Sequence, residues 1–132
     1  MDSNRVHLHI HEDASAVAHA AASWIHGLAS AARGRFGVCL SGGNTPRQLY
    51  GMLARAPLVE TFPWQRVHWF WGDERFVAHD HPDSNYLMAR RAMLDAVAPP
   101  AANIHPVDTS LPDPEAAAED YQRVLGEHHG DG

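Results

Sequence analysis

Apolar residues recur along this chain with two different periods, and each change of period marks the end of a predicted element. Residues 5–10 alternate strictly between polar and apolar and predict a strand near the edge of a sheet. After Asp13, a favourable helix-capping residue, apolar positions recur at helical spacing up to Leu28. This predicts a first helix, with Gly34 as its stop signal. The apolar run at 36–40 predicts a second, more buried strand.

The rest of the chain continues the alternation of helices and strands. The further predicted elements are a helix from 46 to about 55, an aromatic strand at 66–71, a helix that follows the polar loop 72–83 and ends before Pro99, a short fourth strand at 104–107, and a last helix opened by Asp113 and Pro114. The apolar faces expected on the last two helices are Tyr86, Ala89, Met93, Ala96 and Val97, and Ala117, Tyr121, Val124 and Leu125. Such alternation predicts an α/β fold with a doubly wound, mainly parallel sheet and helices on both faces. The 132 residues form one predicted domain, 1–132.

The charge and composition of the chain exclude several classes of function. The formal net charge is −6, which argues against a nucleic-acid backbone as the main partner, because that binding requires clustered cations. All 10 basic residues are arginines, so Schiff-base chemistry and a lysine-containing phosphate loop are both excluded. No apolar run approaches the ~20 residues of a membrane span, and the start of the chain has no secretory pattern. We therefore expect a cytoplasmic protein with no membrane or nucleic-acid partner.

The most informative motif is Ser-Gly-Gly-Asn-Thr-Pro at residues 41–46, between a predicted strand and a predicted helix. Two glycines permit backbone conformations closed to other residues, and a helix start presents unpaired amides and a positive dipole end. This combination is typical of a site for an anion, most simply a phosphate. The spacing of Thr45 and Gln48 fits a capping box, and Pro46 falls at the favoured first helical position.

A second polar loop, Gly-Asp-Glu-Arg at residues 72–75, follows the third predicted strand. Ligands of open α/β sheets bind beyond the carboxyl ends of the strands, so we expect this loop and the glycine turn to meet there. In one interpretation, Arg75 adds a charged contact to the anion and Asp73 orients a hydroxyl group. In the other, Asp73 or Glu74 caps the next segment and Arg75 pairs with them. Spacing alone does not choose between them.

Other side chains with reactive groups are interpreted as structural. Cys39 lies in a predicted buried strand, so we expect a free thiol in the core. The core is also expected to hold Trp64, Trp69 and Trp71. The histidines considered as metal ligands are His7, His9 and His11, on the polar face of the first predicted strand, and His79 and His81 in a loop. We expect no metal site, because no HExxH motif or Cys/His quartet is present.

Three segments resemble, in order and spacing, the signature segments of the 6-phosphogluconolactonases. They are residues 40–46, the Trp-Gly-Asp-Glu-Arg-Phe-Val segment at 71–77, and Asp-Ser-Asn-Tyr at 83–86; residues 103–105 and 117–125 also match the family pattern. The glycine turn alone would suit the glucosamine-6-phosphate deaminases and related sugar-sensing domains, which share the fold. The arginine that follows the acidic pair distinguishes the lactonases from the deaminases.

The resemblance implies hydrolysis of 6-phosphogluconolactone to 6-phosphogluconate in the oxidative pentose phosphate pathway, without a metal or cofactor. It implies the following roles: Gly42, Gly43, Asn44 and Thr45 hold the phosphate of the sugar lactone, Arg75 adds a charged contact, and Asp73 and Asn85 shape the sugar pocket. In the family, a histidine in a later segment ending in Asp-Gly-His is the general base. This sequence contains no such segment, so no catalytic residue is assigned to it.

The chain therefore resembles the amino-terminal half of a lactonase, which leaves a parallel sheet with an unpaired edge. We expect self-association, or a carboxyl-terminal half, to cover that edge. Two other classes of function stay open. One is a sugar phosphate isomerase or deaminase, and the other is a noncatalytic sugar phosphate sensor that retains the pocket without the base.

Overall fold

The computed structural model of this chain describes residues 5–129. Its elements are α1 Ala14–Ala31, β1 Phe36–Leu40, α2 Asn44–Leu53, α3 Leu58–Thr61, β2 Val67–Trp71, α4 Asn85–Ala89, α5 Asp95–Val97 and α6 Pro114–His129. A π-helical turn at Arg90–Leu94 joins α4 to α5, and a short 3-10 helix spans Ala101–Asn103. None of the helices in this part of the chain has the length and apolar character needed to cross a bilayer.

The sheet is parallel, as the alternation of elements predicts. Strands β1 and β2 pair in register from Phe36 opposite Val67 to Leu40 opposite Trp71. The predicted fourth strand is reduced to a single parallel bridge between Trp69 and Ile104. The prediction for 104–107 is thus only partly right, because the backbone leaves the sheet after one residue.

One face of the sheet carries the core of the molecule. The side chains of Leu40, Val67, Trp69 and Trp71 are buried against residues of α1, α2 and the helical segment that starts at α4. Trp69 is fully buried and Trp71 is 3% exposed, so the expected core position of these two indoles is confirmed. Trp64 packs against the same cluster and is partly buried.

The opposite face is covered mainly by α6. Alternation along β2 places His68 and Phe70 on this face, and the Phe70 ring contacts the rings of His128 and His129 from the last turn of α6. Cys39 of β1 lies on the part of the face that α6 does not cover, and it is exposed. The expected burial of this thiol is therefore wrong, because the last turn of α6 reaches β1 at Gly37 and leaves Cys39 uncovered.

The amino-terminal segment 5–10 is not a strand, contrary to the alternation of its sequence. Val6 is 89% exposed and Ile10 is 83% exposed, and within the described residues no strand pairs with the segment. A strand requires hydrogen bonds from a neighbour, so an alternating pattern alone does not form one. The assignment of His7, His9 and His11 to a strand face is wrong for the same reason.

The π-helical turn shifts the apolar face of the third predicted helix, which follows the polar loop 72–83. Ala89 and Met93 are buried as predicted, but Ala96 is exposed and Leu94 is buried in its place. The wider turn rotates the residues that follow it relative to a regular α-helical pattern. A helical periodicity of 3.6 therefore predicts the first half of this face and fails in the second.

The hydroxyl group of Tyr121 joins α6 to the sheet. It accepts a 2.8 Å hydrogen bond from the Trp71 amide and donates one of 2.8 Å to the carbonyl of His105. Burial raises the pKa of Tyr121 to about 12, so the group is protonated and able to donate at neutral pH. This hydroxyl satisfies two backbone groups at once.

We expect Tyr121→Phe to lower the free energy of unfolding by about 1–3 kcal/mol, because the substitution leaves the buried Trp71 amide without an acceptor. Urea unfolding followed by circular dichroism measures the change. Tyr86→Phe is the matched control, since the Tyr86 ring packs on Trp71 but its hydroxyl has no hydrogen-bond partner among residues 5–129. Equal stability of the two variants would contradict the assigned role.

Candidate functional site

The glycine turn after β1 leads directly into α2. Gly43 is the N-cap residue of α2, with φ 110° and ψ 171°, a conformation that residues with a Cβ rarely adopt. The helix begins at Asn44, two residues earlier than predicted, and none of the described side chains caps it. The predicted capping box of Thr45 and Gln48 is therefore wrong. The conformational freedom of Gly43 starts the helix before Thr45 can act as its cap.

The start of α2 has amides available for a ligand. The first intrahelical bond runs from the Arg47 amide to the Gly43 carbonyl, so the amides of Asn44 and Thr45 have no acceptor inside the helix. Within the described residues, Gly42 and Gly43 also show no acceptor for their amides. Pro46 has no amide hydrogen. The arrangement fits an anion, since the helix dipole adds to the effect of the unpaired donors.

Tyr50 fixes the first residue of the turn from within the core. Its hydroxyl accepts a 2.7 Å hydrogen bond from the Ser41 amide and donates one of 2.8 Å to the Ser41 carbonyl. Burial raises the pKa of Tyr50 to about 12. The backbone of Ser41 is thus occupied by protein contacts, and the available donors begin at Gly42.

The two loops meet at the carboxyl ends of the strands, as expected. The Gly72 amide donates a 2.9 Å hydrogen bond to the Leu40 carbonyl. The Asn85 side chain lies against Gly42 so closely that a Cβ there would be 2.9 Å from the Asn85 amide carbon. The Nδ2 group of Asn85 also donates to Asp73, 3.2 Å to the carbonyl and 3.4 Å to Oδ1. Gly42, Asp73 and Asn85 are therefore brought together.

Glu74 organises the loop that carries these residues. Its carboxylate accepts hydrogen bonds from the amides of Asn85 at 2.7 Å, Tyr86 at 2.9 Å and Arg75 at 2.8 Å. The first two amides lie at the start of α4, so Glu74 supplies an acceptor to a helix end across 10 residues of loop. The second interpretation left open by the sequence is right in part: an acidic residue, Glu74, caps the next segment, but the expected ion pair with Arg75 is not formed within residues 5–129.

Arg75 does not join the contacts between the two loops. Its side chain is exposed and forms no ion pair or hydrogen bond with any described residue. It lines a cavity of about 330 Å³ together with residues of the same loop and of α6, including Phe76, Tyr121 and Leu125. The glycine turn does not line this cavity. Arg75 is therefore a free cation beside the acidic loop, without a fixed partner in residues 5–129.

The contact of Tyr50 with Ser41 was not identified from the sequence, and Glu74 was identified only as one of two candidate capping residues. Spacing gave no sign that Tyr50 reaches back to Ser41 or that Glu74 accepts hydrogen bonds from three amides, since both depend on how distant segments pack. Cys39 lies near the same loops: a Cβ on Gly72 would be 3.2 Å from its Sγ atom. Partial burial and the Asp73 carboxylate raise the pKa of the Cys39 thiol.

We expect Glu74→Gln to destabilise the fold by about 1–3 kcal/mol, because the amide has one acceptor atom for the three backbone donors that share the carboxylate. Chemical unfolding measures the loss. Asp73→Asn is the control, since its exposed carboxylate accepts only a 3.4 Å contact from Asn85. A loss as large in the control would show that removal of a charge, and not of the shared acceptor, is responsible.

Comparison with known protein sequences identifies the family of this chain. The sequence profile described as "Glucosamine-6-phosphate isomerases/6-phosphogluconolactonase" matches residues 12–132. The chain is 55% identical over 97 residues to the 6-phosphogluconolactonase of Synechocystis sp., a match that covers 74% of this chain and 39% of that protein. It is 41% identical over 93 residues to the chloroplastic 6-phosphogluconolactonase 3 of Arabidopsis thaliana, covering 70% and 28%.

Comparison with solved structures also identifies 6-phosphogluconolactonases. The crystal structure of 6-phosphogluconolactonase from Thermotoga maritima superposes with a TM-score of 0.78 at 32% identity, covering 92% of this chain and 54% of that one. A monomeric glucosamine-6-phosphate deaminase matches with a TM-score of 0.77 at 17% identity and shows the fold alone. This chain spans about half the length or less of the proteins it matches. It belongs to the family of glucosamine-6-phosphate isomerases and 6-phosphogluconolactonases.

Proposed function

We propose that this chain is the phosphate-binding part of a cytoplasmic 6-phosphogluconolactonase, which hydrolyses 6-phospho-D-glucono-1,5-lactone to 6-phosphogluconate. The observation that carries the proposal is the meeting of the glycine turn with Asp73 and Asn85 at the carboxyl ends of β1 and β2. The 6-phosphogluconolactonases that match at 41–55% identity support the choice of reaction. The similarity to a glucosamine-6-phosphate deaminase is limited to 17% sequence identity, so it supports the fold and not the deaminase reaction.

The start of α2 is the proposed phosphate site. Gly42, Gly43, Asn44 and Thr45 offer backbone amides and the Thr45 hydroxyl, and the positive end of the helix dipole faces the same space. Arg75, exposed and without a partner in residues 5–129, would supply the charged contact. Its long side chain is able to reorient because no ion pair holds it. A guanidinium can donate two hydrogen bonds to one phosphate group.

Asp73 and Asn85 would contact the sugar end of the substrate. The Asn85 side chain lies between Gly42 and Asp73, so it separates the phosphate site from the acidic loop. The Asp73 carboxylate is exposed and can accept hydrogen bonds from sugar hydroxyl groups. Glu74 has a different role, since backbone amides occupy both of its oxygens.

The chemical step requires a group that this chain is not proposed to supply. Water adds to the lactone carbonyl carbon, the bond from that carbon to the ring oxygen breaks, and the ring oxygen takes up a proton as it becomes a hydroxyl group. A base within hydrogen-bond reach must accept the proton of the attacking water. None of the residues gathered at the strand ends is a histidine. We assign binding to these residues and leave the base outside this segment.

The phosphate site is tested by the affinity of this chain for 6-phosphogluconate, measured by calorimetry. We expect Arg75→Gln to weaken binding roughly tenfold, because a charge-assisted hydrogen bond contributes about 1.5 kcal/mol or more. Gly42→Ala is expected to weaken it as well, since the new Cβ displaces the Asn85 side chain.

Arg33→Gln is the matched control, because Arg33 is also exposed, has no partner in the described residues and lies at the opposite end of β1. Gluconate, which lacks the phosphate, should bind far more weakly than 6-phosphogluconate. Equal binding of the two ligands, or equal losses in Arg75→Gln and Arg33→Gln, would contradict the phosphate site.

A noncatalytic sugar phosphate sensor is the second candidate, favoured by the absence of a histidine among the site residues. We expect lactone hydrolysis when this segment is extended to the length of its relatives, and much less from residues 1–132 alone. Spectrophotometric hydrolysis assays of the two proteins, side by side, decide between the candidates. Binding of 6-phosphogluconate without hydrolysis in either protein would support the sensor.

A further inference from the structure

Three histidines from distant segments meet on the face of the sheet that α6 covers. They are His68 of β2, His105 after the Ile104 bridge, and His128 in the last turn of α6, and we call them the three-histidine cluster. Nδ1 of His68 lies 3.0 Å from Nε2 of His105. The ring centres of His105 and His128 are 4.1 Å apart. One ring nitrogen from each residue lies within 4.8 Å of the others.

The fold positions all three residues through contacts already described. The alternation of β2 turns His68 away from the core that buries Trp69. The His105 amide donates a 2.9 Å hydrogen bond to the Trp69 carbonyl, which fixes His105 beside β2. His128 follows Tyr121 by seven residues, or two helical turns, so it lies on the helix face that Tyr121 attaches to the sheet. The cluster therefore rests on a strand, a sheet bridge and a helix.

The spacing of the nitrogens is close to that of a metal centre. Zinc binds histidine nitrogen at about 2.0–2.1 Å, so two ligands of a tetrahedral site lie about 3.3 Å apart. The 3.0 Å between His68 and His105 is within a few tenths of an ångström of this value. The two rings are nearly coplanar with their centres 5.3 Å apart, so the two nitrogens face each other in a line and both rings must tilt to admit an ion. The corresponding nitrogen of His128 lies within 4.8 Å of the other two. A cavity of about 240 Å³ beside the cluster, lined by Arg35, His68 and His128 among others, provides access.

The protonation of the cluster suits a cation. Burial lowers the pKa of His105 to about 4, with further contributions from His128, His68 and Arg35, and burial also lowers the pKa of His68. The lowered pKa values favour the neutral form of both imidazoles, which is the form that binds a metal. In the neutral pair one facing nitrogen carries a proton, which must move to the other nitrogen of its own ring before both coordinate.

Arg35 opposes binding of a cation and so limits its affinity. Its guanidinium contacts the carbonyl oxygen of His128 and lies 3.3 Å from Nδ1 of the same residue. A metal bound to that nitrogen displaces the second contact. Three imidazoles without a carboxylate or thiolate favour Zn²⁺ and its neighbours Co²⁺, Ni²⁺ and Cu²⁺ over Mg²⁺ and Ca²⁺, which prefer oxygen ligands.

We propose that His68, His105 and His128 bind a divalent transition metal of the zinc class, with Nδ1 of His68 and Nε2 of His105 as two of its ligands. A solvent molecule completes the coordination. The ion would fasten the last turn of α6 to β2, on the opposite side of the sheet from α2. The site is independent of the proposed phosphate site, since none of its ligands belongs to the glycine turn or the acidic loop. It was not apparent from the sequence because its members are 37 and 23 residues apart.

The alternative is that the three rings form only a packed cluster, with an imidazole–imidazole hydrogen bond between His68 and His105. His68 and His105 are nearly coplanar, with ring centres 5.3 Å apart, and Phe70 stacks on His105 at 4.7 Å. Such packing needs no ion. It predicts that removal of one histidine alters stability and leaves the affinity for metal unchanged.

The test is calorimetric titration of the EDTA-treated, dialysed chain with ZnCl₂, together with visible absorption on addition of CoCl₂. We expect one saturable site, a tetrahedral Co²⁺ spectrum and a higher midpoint of thermal unfolding with Zn²⁺. His128→Gln, at the end of a helix, is expected to preserve the fold and to weaken Zn²⁺ binding at least about tenfold. His105→Gln is also expected to preserve the fold and to weaken Zn²⁺ binding at least about tenfold.

His19→Gln is the matched control, because His19 is exposed on α1 and outside the cluster; its Zn²⁺ affinity should equal that of the unaltered chain. His9→Gln tests capture of the ion by the exposed residues His7, His9 and His11. Loss of binding in His9→Gln with retention in both His128→Gln and His105→Gln would overturn the proposal. The absence of a saturable site in the unaltered chain would also overturn it.

Discussion

The carboxylate of Glu74 determines where the functional loops of this molecule lie. Three backbone amides share its two oxygens, and two of these amides belong to the first turn of α4. Because the Asn85 amide is one of the three, the same interaction fixes the position of the Asn85 side chain against Gly42. A ligand that contacts both loops therefore meets a surface whose spacing is fixed before binding. Such preorganisation lowers the entropic cost of association.

The two faces of the sheet have different functions in this arrangement. One is a conventional apolar core, in which aromatic residues of β2 pack against α1, α2 and α4. The other is polar at its centre, where histidines, an arginine and the Tyr121 hydroxyl surround β2. On the first face, apolar burial holds the helices against the sheet. On the second face, the two hydrogen bonds of the Tyr121 hydroxyl contribute to holding α6 in place. Because one face of the sheet is apolar and the other is partly polar, helices of different composition pack on the two faces.

The elements predicted correctly from the sequence are those specified by neighbouring residues. Asp13 caps α1 through a 2.8 Å hydrogen bond to the Ala16 amide, Asp113 does the same for α6 at Ala116, and the strand at 36–40 has the predicted bounds. The errors about the first strand and the thiol concern partners that are distant in sequence. Residues 5–10 have the alternation of a strand without a neighbour to pair with in residues 5–129, and Cys39 has the pattern of a buried strand on a face that is partly open.

The candidate site also combines features specified by neighbouring residues with features that depend on distant ones. A diglycine turn before a helix is a local signal, and the structure places Gly43 in the positive-φ conformation that only glycine adopts easily. The meeting of Gly42 with Asn85 follows from the rule that parallel strands end at the same edge of the sheet. The start of α2 at Asn44 follows from the conformation of Gly43. The hydrogen bonds of Glu74 with three amides and the exposure of the Arg75 side chain depend on side-chain packing, which local spacing does not encode.

The exposed position of Cys39 has a practical consequence for anyone handling this polypeptide. It is the single thiol of the chain, so air oxidation can join two copies covalently without any folded interface between them. The raised pKa of the thiol keeps the reactive thiolate scarce at neutral pH, and alkaline buffers remove that protection. A species of doubled mass that disappears on reduction would therefore reflect storage chemistry and carry no information about quaternary structure.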